Sequence, residues 1–242
     1  MSSALERDGV LICERILSPE AIDQIRLQFD AINSARAGSR AFDVPEMIKG
    51  LIGPGGALGV LAAQQAGQAA TPVRVLLFDK SPAANWAVSW HQDRAIAVKQ
   101  RADVEGYGPW SVKGGVVHVE PPVAILQSML TLRVFIDDCG EDNGPLEIVV
   151  GSHRHGRLPE KDLGDAVEGG AVFVACGRAG DVLVMKMLAV HSSKRAVSPS
   201  HRRVLHIDYA TIGLPAPLEW MLNWAKTASG RTRPPGKADG VA

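Results

Sequence analysis

The chain has 242 residues, of which 46% are hydrophobic and 21% charged, and its 26 basic residues balance 26 acidic ones. A neutral chain with a pI near 7.1 has no basic face to recommend it to nucleic acid, and its length and apolar fraction suit one sizeable domain with a real core. Three scattered cysteines, Cys13, Cys139 and Cys176, form neither a disulfide framework nor a zinc pattern, so a reducing, cytoplasmic setting is expected.

From the N-terminus, Met1 to Asp8 lacks the basic-then-apolar layout of a signal peptide. No window approaches the roughly 20 apolar residues of a membrane span. Residues 8–17 read as a short strand. Ser18-Pro19-Glu20 is a helix start, with serine as N-cap and proline at the first helical position. Ile22, Ile25, Phe29 and Ile32 recur at helical spacing, which predicts a helix to about Ala31. Residues 35–44 are polar and irregular. A helical stretch from Pro45 to about Gln68 is split by Gly53-Pro54-Gly55-Gly56.

Short β-branched and aliphatic runs follow from Val73. Strands are expected at 73–80, 88–92, 96–99, 116–119, 124–136, 146–150, 171–174, 181–187 and 203–210. So many short strands divided by turns predict a β-sandwich or barrel, with the N-terminal helices packed on one sheet. The expected boundaries are one domain over 1–225, a helical part near 18–68, a β core near 73–212 and a mobile tail over 226–242. In the run through 127–136, Gln127, Met129, Thr131 and Arg133 share one parity, while Ser128, Leu130, Leu132, Val134 and Ile136 share the other. That pattern suits a barrel with a polar interior, and equally a strand facing solvent.

Chemistry concentrates at Trp90-His91-Gln92-Asp93. On an extended segment, His91 and Asp93 project to the same side and can grip one ion. With a second histidine they form the facial two-histidine, one-carboxylate site of non-heme iron(II) oxygenases. A lone tripeptide of this kind arises by chance, so the rest of the chain must supply the partner. Of seven histidines, His191 suits best, because it follows a turn at Gly180-Asp181 and an apolar strand. His153 and His155 sit in a glycine-bracketed loop, and His118 and His206 read as strand histidines. Arg202 and Arg203 open the next strand and could each clamp a carboxylate. Arg202 shares a face with Val204, His206 and Asp208, and Arg203 with Leu205, Ile207 and Tyr209.

The order His91-x-Asp93, Asn143-Gly144-Pro145-Leu146, Gly151-Ser152-His153, Gly180-Asp181, His191-x-Ser193 and Arg202 resembles the phytanoyl-CoA dioxygenase family over roughly residues 8–224. The resemblance implies a double-stranded β-helix, or jelly roll. It also implies Fe(II), 2-oxoglutarate as co-substrate and O2. His91, Asp93 and His191 match the iron ligands. Arg202, eleven residues after His191, matches the clamp for the distal carboxylate, and Ser193 matches a supporting hydroxyl. The glycine-rich 143–153 segment is expected to be scaffold.

Halogenating relatives carry a small residue in place of the carboxylate. Asp93 keeps it, so hydroxylation or another oxidation at carbon, such as desaturation or epimerisation, is the implied chemistry. A non-catalytic jelly-roll binding protein is the rival from another class. Lys80, Thr131 and Arg133 are further candidates for the co-substrate. Asn85 and Trp86 lie near the entry. Trp90, Arg94, Trp110, Lys113, His118 and Gln127 are candidates for substrate contacts, with residues 107–115 as a candidate lid. The expected partner is a small molecule smaller than an acyl-CoA, with the protein a monomer or homodimer.

Overall fold

The computed structural model describes residues 3–32, 38–39, 44–222 and 224; the expected tail over 226–242 and part of the irregular 35–44 stretch lie outside the described residues. The chain opens with α1 (Ala4–Asp8), capped by the Ser3 hydroxyl on the Glu6 N–H, and the short strand β1 (Val10–Cys13). The strand expected over 8–17 is thus shorter. It ends where Arg15 turns into a left-handed conformation at φ 53° and gives its N–H to Asp181. Helix α2 (Pro19–Ile32) starts as expected, with Ser18 Oγ accepting from the Ala21 N–H, and it buries Ile22, Ile25 and Phe29. After β2 (Gly38–Ser39), helices α3 (Glu46–Ile52) and α4 (Ala57–Ala66) divide at the glycine-proline break. Their backbones pass so closely that a Cβ on Gly59 would lie 1.9 Å from the Gly53 carbonyl oxygen.

The remaining strands are β3 (Thr71–Lys80), β4 (Val88–His91), β5 (Ile96–Val98), β6 (Trp110–Lys113), β7 (Val116–Val119), β8 (Met129–Phe135), β9 (Leu146–Val149), β10 (Val172–Ala175), β11 (Val182–Lys186), β12 (His191–Ser193) and β13 (Arg202–Ala210). Helix α5 (Val123–Gln127) precedes β8, and α6 (Leu163–Glu168) precedes β10. They form a six-stranded sheet in the order β1-β11-β8-β13-β3-β2, a four-stranded sheet β10-β9-β12-β4 and a three-stranded sheet β5-β7-β6. All pairings are antiparallel. This is a jelly roll with two main sheets, and Ile96, Val98 and Val119 of the small third sheet pack with Val73, Met129 and Ala210 of the six-stranded one.

Alternation along the strands separates two environments. The outward residues Leu130, Leu132 and Val134 of β8 and Leu205, Ile207 and Tyr209 of β13 join Ile22, Ile25, Ile48, Ile52 and Leu58 in one buried apolar cluster. Tyr209 donates its hydroxyl to the Ile52 carbonyl oxygen at 2.8 Å, so the phenol is both buried and satisfied. Of the inward residues of the same strands, Arg133, Phe135, Arg202, Val204 and His206 line a cavity.

One of the expectations is corrected. Residues 124–136 are not one strand: Val123–Gln127 is helical, following Pro121-Pro122, and Ser128 ends it by donating its hydroxyl to the Ile125 carbonyl oxygen. An aliphatic run this short does not distinguish a buried helical turn from a strand. The candidate lid over 107–115 carries a strand, Trp110–Lys113, which pairs with Val116–Val119 as a hairpin. Gly114 and Gly115 make its turn, at φ 59° and 80°. Two successive positive φ angles are what a two-residue hairpin of this hand requires.

Candidate metal centre and co-substrate pocket

His91 ends β4 and His191 begins β12, and the two are directly opposite in the antiparallel pairing. Asp93 lies just past the strand end. The ligand atoms of His91, Asp93 and His191 all fall within 4.8 Å of one another, the one such cluster among the described residues. The imidazole rings are 4.2 Å apart, tilted by 46°.

Each ring is aimed by its own backbone. His91 Nδ1 lies 2.8 Å from the Ser89 carbonyl oxygen, and His191 Nδ1 lies 2.9 Å from that of Ala189. A carbonyl can only accept, so both Nδ1 atoms carry the proton and both Nε2 lone pairs are left to a ligand. Burial pushes the His191 imidazole down to about 3, against the opposing pull of Asp93, so it is neutral at ordinary pH as a metal ligand must be. Burial alone would raise the Asp93 carboxyl; His191 and Arg133 outweigh it and hold the group well below the usual carboxylate range. Two neutral nitrogens and one carboxylate oxygen with an open side fit Fe(II) as donor set.

Gln92, to which the sequence assigned no role, and Ser152, in the segment expected to be scaffold, help to fix this geometry. Gln92, between His91 and Asp93, is 6% exposed. Its amide nitrogen donates to the carbonyl oxygens of Gly156 and Leu188, at 2.8 and 2.7 Å, and its oxygen accepts from the Leu158 N–H. It therefore ties the segment carrying Asp93 to the approach to His191. Ser152 accepts from the Val190 N–H and donates to the Val149 carbonyl oxygen, setting the entry to β12. An alternation rule would have read Gln92 as the out-facing residue between two ligands, but not what it binds.

A cavity of about 460 Å³ opens from the triad between the two sheets. At one end stand Arg202, Ser193, Phe78, Phe135, Leu146 and Val204. Arg202 and the Ser193 hydroxyl both donate to the Gly144 carbonyl oxygen, at 2.5 and 3.1 Å. Gly144 itself turns at φ 62°, and a Cβ there would stand 2.7 Å from the Lys194 carbonyl oxygen. Lys80, paired with Arg202 across β3 and β13, is fully buried behind them. Its ammonium donates to Ser193 Oγ at 2.9 Å and to the Lys194 carbonyl oxygen at 2.6 Å, and it lies over the Trp86 ring. Burial and the neighbouring Arg202 push it down to about 8. Two cations, a hydroxyl and an apolar collar at one place suit a short dicarboxylate. Arg203, by contrast, faces outward and grips Asp137 with two nitrogens, at 2.9 and 2.8 Å.

At the other end are Arg74, His118, Lys113, Arg94 and Glu120. Arg74 is paired with the buried Asp208, which also accepts from His206. Arg133 lies between the ends, within 3.3 Å of Asp93 and 3.4 Å of His191 Nε2. Among the sequence candidates, Trp90, Trp110, Thr131 and Gln127 do not line this cavity, and Trp86 does. Trp110 packs with the apolar cluster that also holds Val119 and Leu126. Gln127, carried away by α5, lines a separate surface hollow with His153 and Lys186. Thr131 is buried beside Arg133 on β8. Asn85 braces the wall by exchanging hydrogen bonds with the Ala196 backbone.

The model of the phytanoyl-CoA dioxygenase (PhyH) family matches residues 5–204, while comparison with curated proteins finds no match. Similar solved structures include AviO1 from Streptomyces viridochromogenes Tue57, at 22% identity and a TM-score of 0.62, covering 88% of this chain and 95% of that one. The carbocyclase SnoK of nogalamycin biosynthesis, described as alpha-ketoglutarate dependent, is 16% identical with a TM-score of 0.64, covering 86% and 81%. EctD from S. alaskensis, solved with 2-oxoglutarate and 5-hydroxyectoine, is 18% identical with a TM-score of 0.63, covering 86% and 73%. At these identities the structures speak for the jelly-roll fold, and the family model for the lineage. The chain belongs to the phytanoyl-CoA dioxygenase family of Fe(II)/2-oxoglutarate oxygenases.

Proposed function

We propose that this oxygenase hydroxylates a small molecule, with His91, Asp93 and His191 as iron ligands and Arg202 as the anchor of 2-oxoglutarate. The observation that carries the reading is the meeting of a three-ligand cluster and a buried guanidinium in one cavity. A binding protein has no use for a metal with one side left open. When bound, Fe(II) and 2-oxoglutarate supply the activation of O2. The overall change is substrate C–H, 2-oxoglutarate and O2 to substrate C–OH, succinate and CO2.

The chain's own work is to bind, orient and exclude water. Arg202 and Ser193 would turn from the Gly144 carbonyl oxygen to the distal carboxylate. Lys80 would hold Ser193 and add a second positive charge. Phe78, Phe135, Leu146 and Val204 would keep water from the methylene chain. Asp93 keeps the carboxylate position filled, which favours oxygen transfer over halide transfer. The apolar and polar halves of the cavity would fix which substrate carbon meets the metal.

The test is spectroscopic. Fe(II) and 2-oxoglutarate added without air should give a weak visible charge-transfer band that disappears in His91→Ala and Asp93→Ala. A wild-type protein giving no band would refute the assignment. Product analysis then separates hydroxylation from the epimerisation and cyclisation named for SnoN and SnoK, two proteins of similar fold.

A further inference from the structure

We propose that the primary substrate is a small organic oxyanion, carboxylate or phosphate, held by its charge at the Arg74–His118–Lys113 end of the cavity. The inference deepens the function proposed above and rests on that reading for the place of 2-oxoglutarate.

Length divides the cavity first. Arg202, Val204, His206 and Asp208 follow one another on the inner face of β13, and Asp208 is in register with Arg74 of β3. From Arg202 to Asp208 is roughly 20 Å at about 3.3 Å per residue. A five-carbon diacid spans roughly 6–7 Å at about 1.5 Å per C–C bond. A co-substrate anchored on Arg202 therefore reaches the metal and leaves the far end to the substrate. The whole cavity, about 460 Å³, must hold both, so the substrate portion inside it is small.

Charge then states what the far end prefers. The cavity is lined by five cationic side chains, Arg74, Arg94, Lys113, Arg133 and Arg202, against two carboxylates, Asp93 and Glu120. Asp208 balances Arg74, and Glu120 balances Arg94 at 3.1 Å. Arg133 has Asp93 for a partner, but Asp93 is a ligand when the metal is bound. Among the described residues Lys113 makes no ion pair or hydrogen bond. Lys113 at the rim and Arg133 beside the ligand cluster thus remain as positive charge in the cavity.

The third sheet aims these groups. Lys113 pairs with Val116, and His118 with Ser111, across the β6–β7 hairpin, so Lys113 and His118 share the face turned to the cavity. His118 gives its Nδ1 proton to the Val116 carbonyl oxygen and presents Nε2 to Arg74 at 3.5 Å. Positive charge thus stands at the exposed rim, on Lys113, and at the buried end, on Arg74, with His118 accepting from Arg74 and steadying it, the arrangement that draws in and then orients an oxyanion.

The test uses matched acids and primary amides: phenylacetate with phenylacetamide, and hexanoate with hexanamide, with phenyl phosphate as the phosphate arm. Each is titrated calorimetrically into the metal-free protein, and into the anaerobic Fe(II)–2-oxoglutarate form followed by its visible band. The acids or the phosphate are expected to bind at least about tenfold more tightly than the amides. The preference should weaken in high salt and fall severalfold in Lys113→Gln, a rim substitution that leaves the buried pairs in place. Arg74→Met should remove it entirely. Equal binding of acids and amides, tighter binding of phenethylamine, or no saturable binding of any anion in either form would overturn the inference. A normal band with no anion preference sinks this inference alone; no band sinks the proposed function, while calorimetry on the metal-free protein still decides the anion site.

Discussion

Arg133 Nη2 lies 3.3 Å from Asp93 Oδ2, and the same nitrogen is 3.4 Å from His191 Nε2. The guanidinium thus meets two of the three groups proposed to bind iron, and balances the carboxylate when no metal does. Arg133→Leu should lower the stability of the metal-free protein by about 1–2 kcal/mol, a charge-assisted bond at a site open to the cavity. It should enlarge the rise in melting temperature on adding Zn(II), because a repelling cation is gone. A smaller rise than in wild type would mean instead that Arg133 orients Asp93 for the metal.

Acid should destabilise the metal-free protein in a window set by His191. Its folded value is pushed down to about 3 by burial, against about 6.5 in the unfolded chain. Between those values the unfolded state holds the extra proton, so stability falls as pH falls. One such group contributes at most about 1.4 kcal/mol per pH unit. The buried His206 is shifted in the same direction and steepens the slope. Asp93, also lowered, adds to it below the ordinary carboxylate range. His191→Asn should flatten the profile by up to one proton; an unchanged slope in denaturant titrations from pH 6.5 to 4 would contradict the burial argument.

Gln92→Ala should cost about 2–3 kcal/mol, since it strands two carbonyl oxygens in a site of low exposure. It touches no proposed ligand atom, yet iron affinity should fall about tenfold or more, in the manner of outer partners of metal ligands. Equal loss of stability with unchanged metal affinity would make Gln92 a purely structural tie.

At the co-substrate end, Arg202→Leu should weaken 2-oxoglutarate about 10–100-fold, the range of a lost charge-assisted bond. Lys80→Met should weaken it less, because Lys80 works through Ser193. Lys80 is pushed down to about 8, so its positive charge is present below that pH and lost above it. Wild-type affinity for 2-oxoglutarate should therefore decline as pH rises through 8 to 9.5, and the decline should be absent in Lys80→Met. Anaerobic titration of the visible band measures both.

Much of this was legible in the sequence because it depends on alternation and local signals. The parity of β13 put Arg202 and Arg203 on opposite faces, and the resemblance, through the spacing from His191, chose Arg202, while Arg203 pairs with Asp137 on the outside. The Ser18-Pro19 start and the 53–56 break located the helices. What the sequence hid depends on partners distant in the chain. Nothing local connects Gln92 to Gly156 and Leu188, or Lys80 to Ser193. Gln127 looked inward only while 124–136 was read as one strand, and α5 removes it from that face. Trp110 read as a substrate contact, but it packs against the apolar cluster of Val119 and Leu126, on the face of the hairpin opposite Lys113 and His118.

The most direct measurement is succinate formation from 2-oxoglutarate in air by the Fe(II)-loaded protein, beside Asp93→Ala and Arg202→Leu. Slow, iron-dependent succinate release by wild type without added substrate, abolished in Asp93→Ala and regained in Arg202→Leu only at high 2-oxoglutarate, is the expected result. Release that survives in Asp93→Ala, or its absence from folded, iron-bound wild type, would contradict the account.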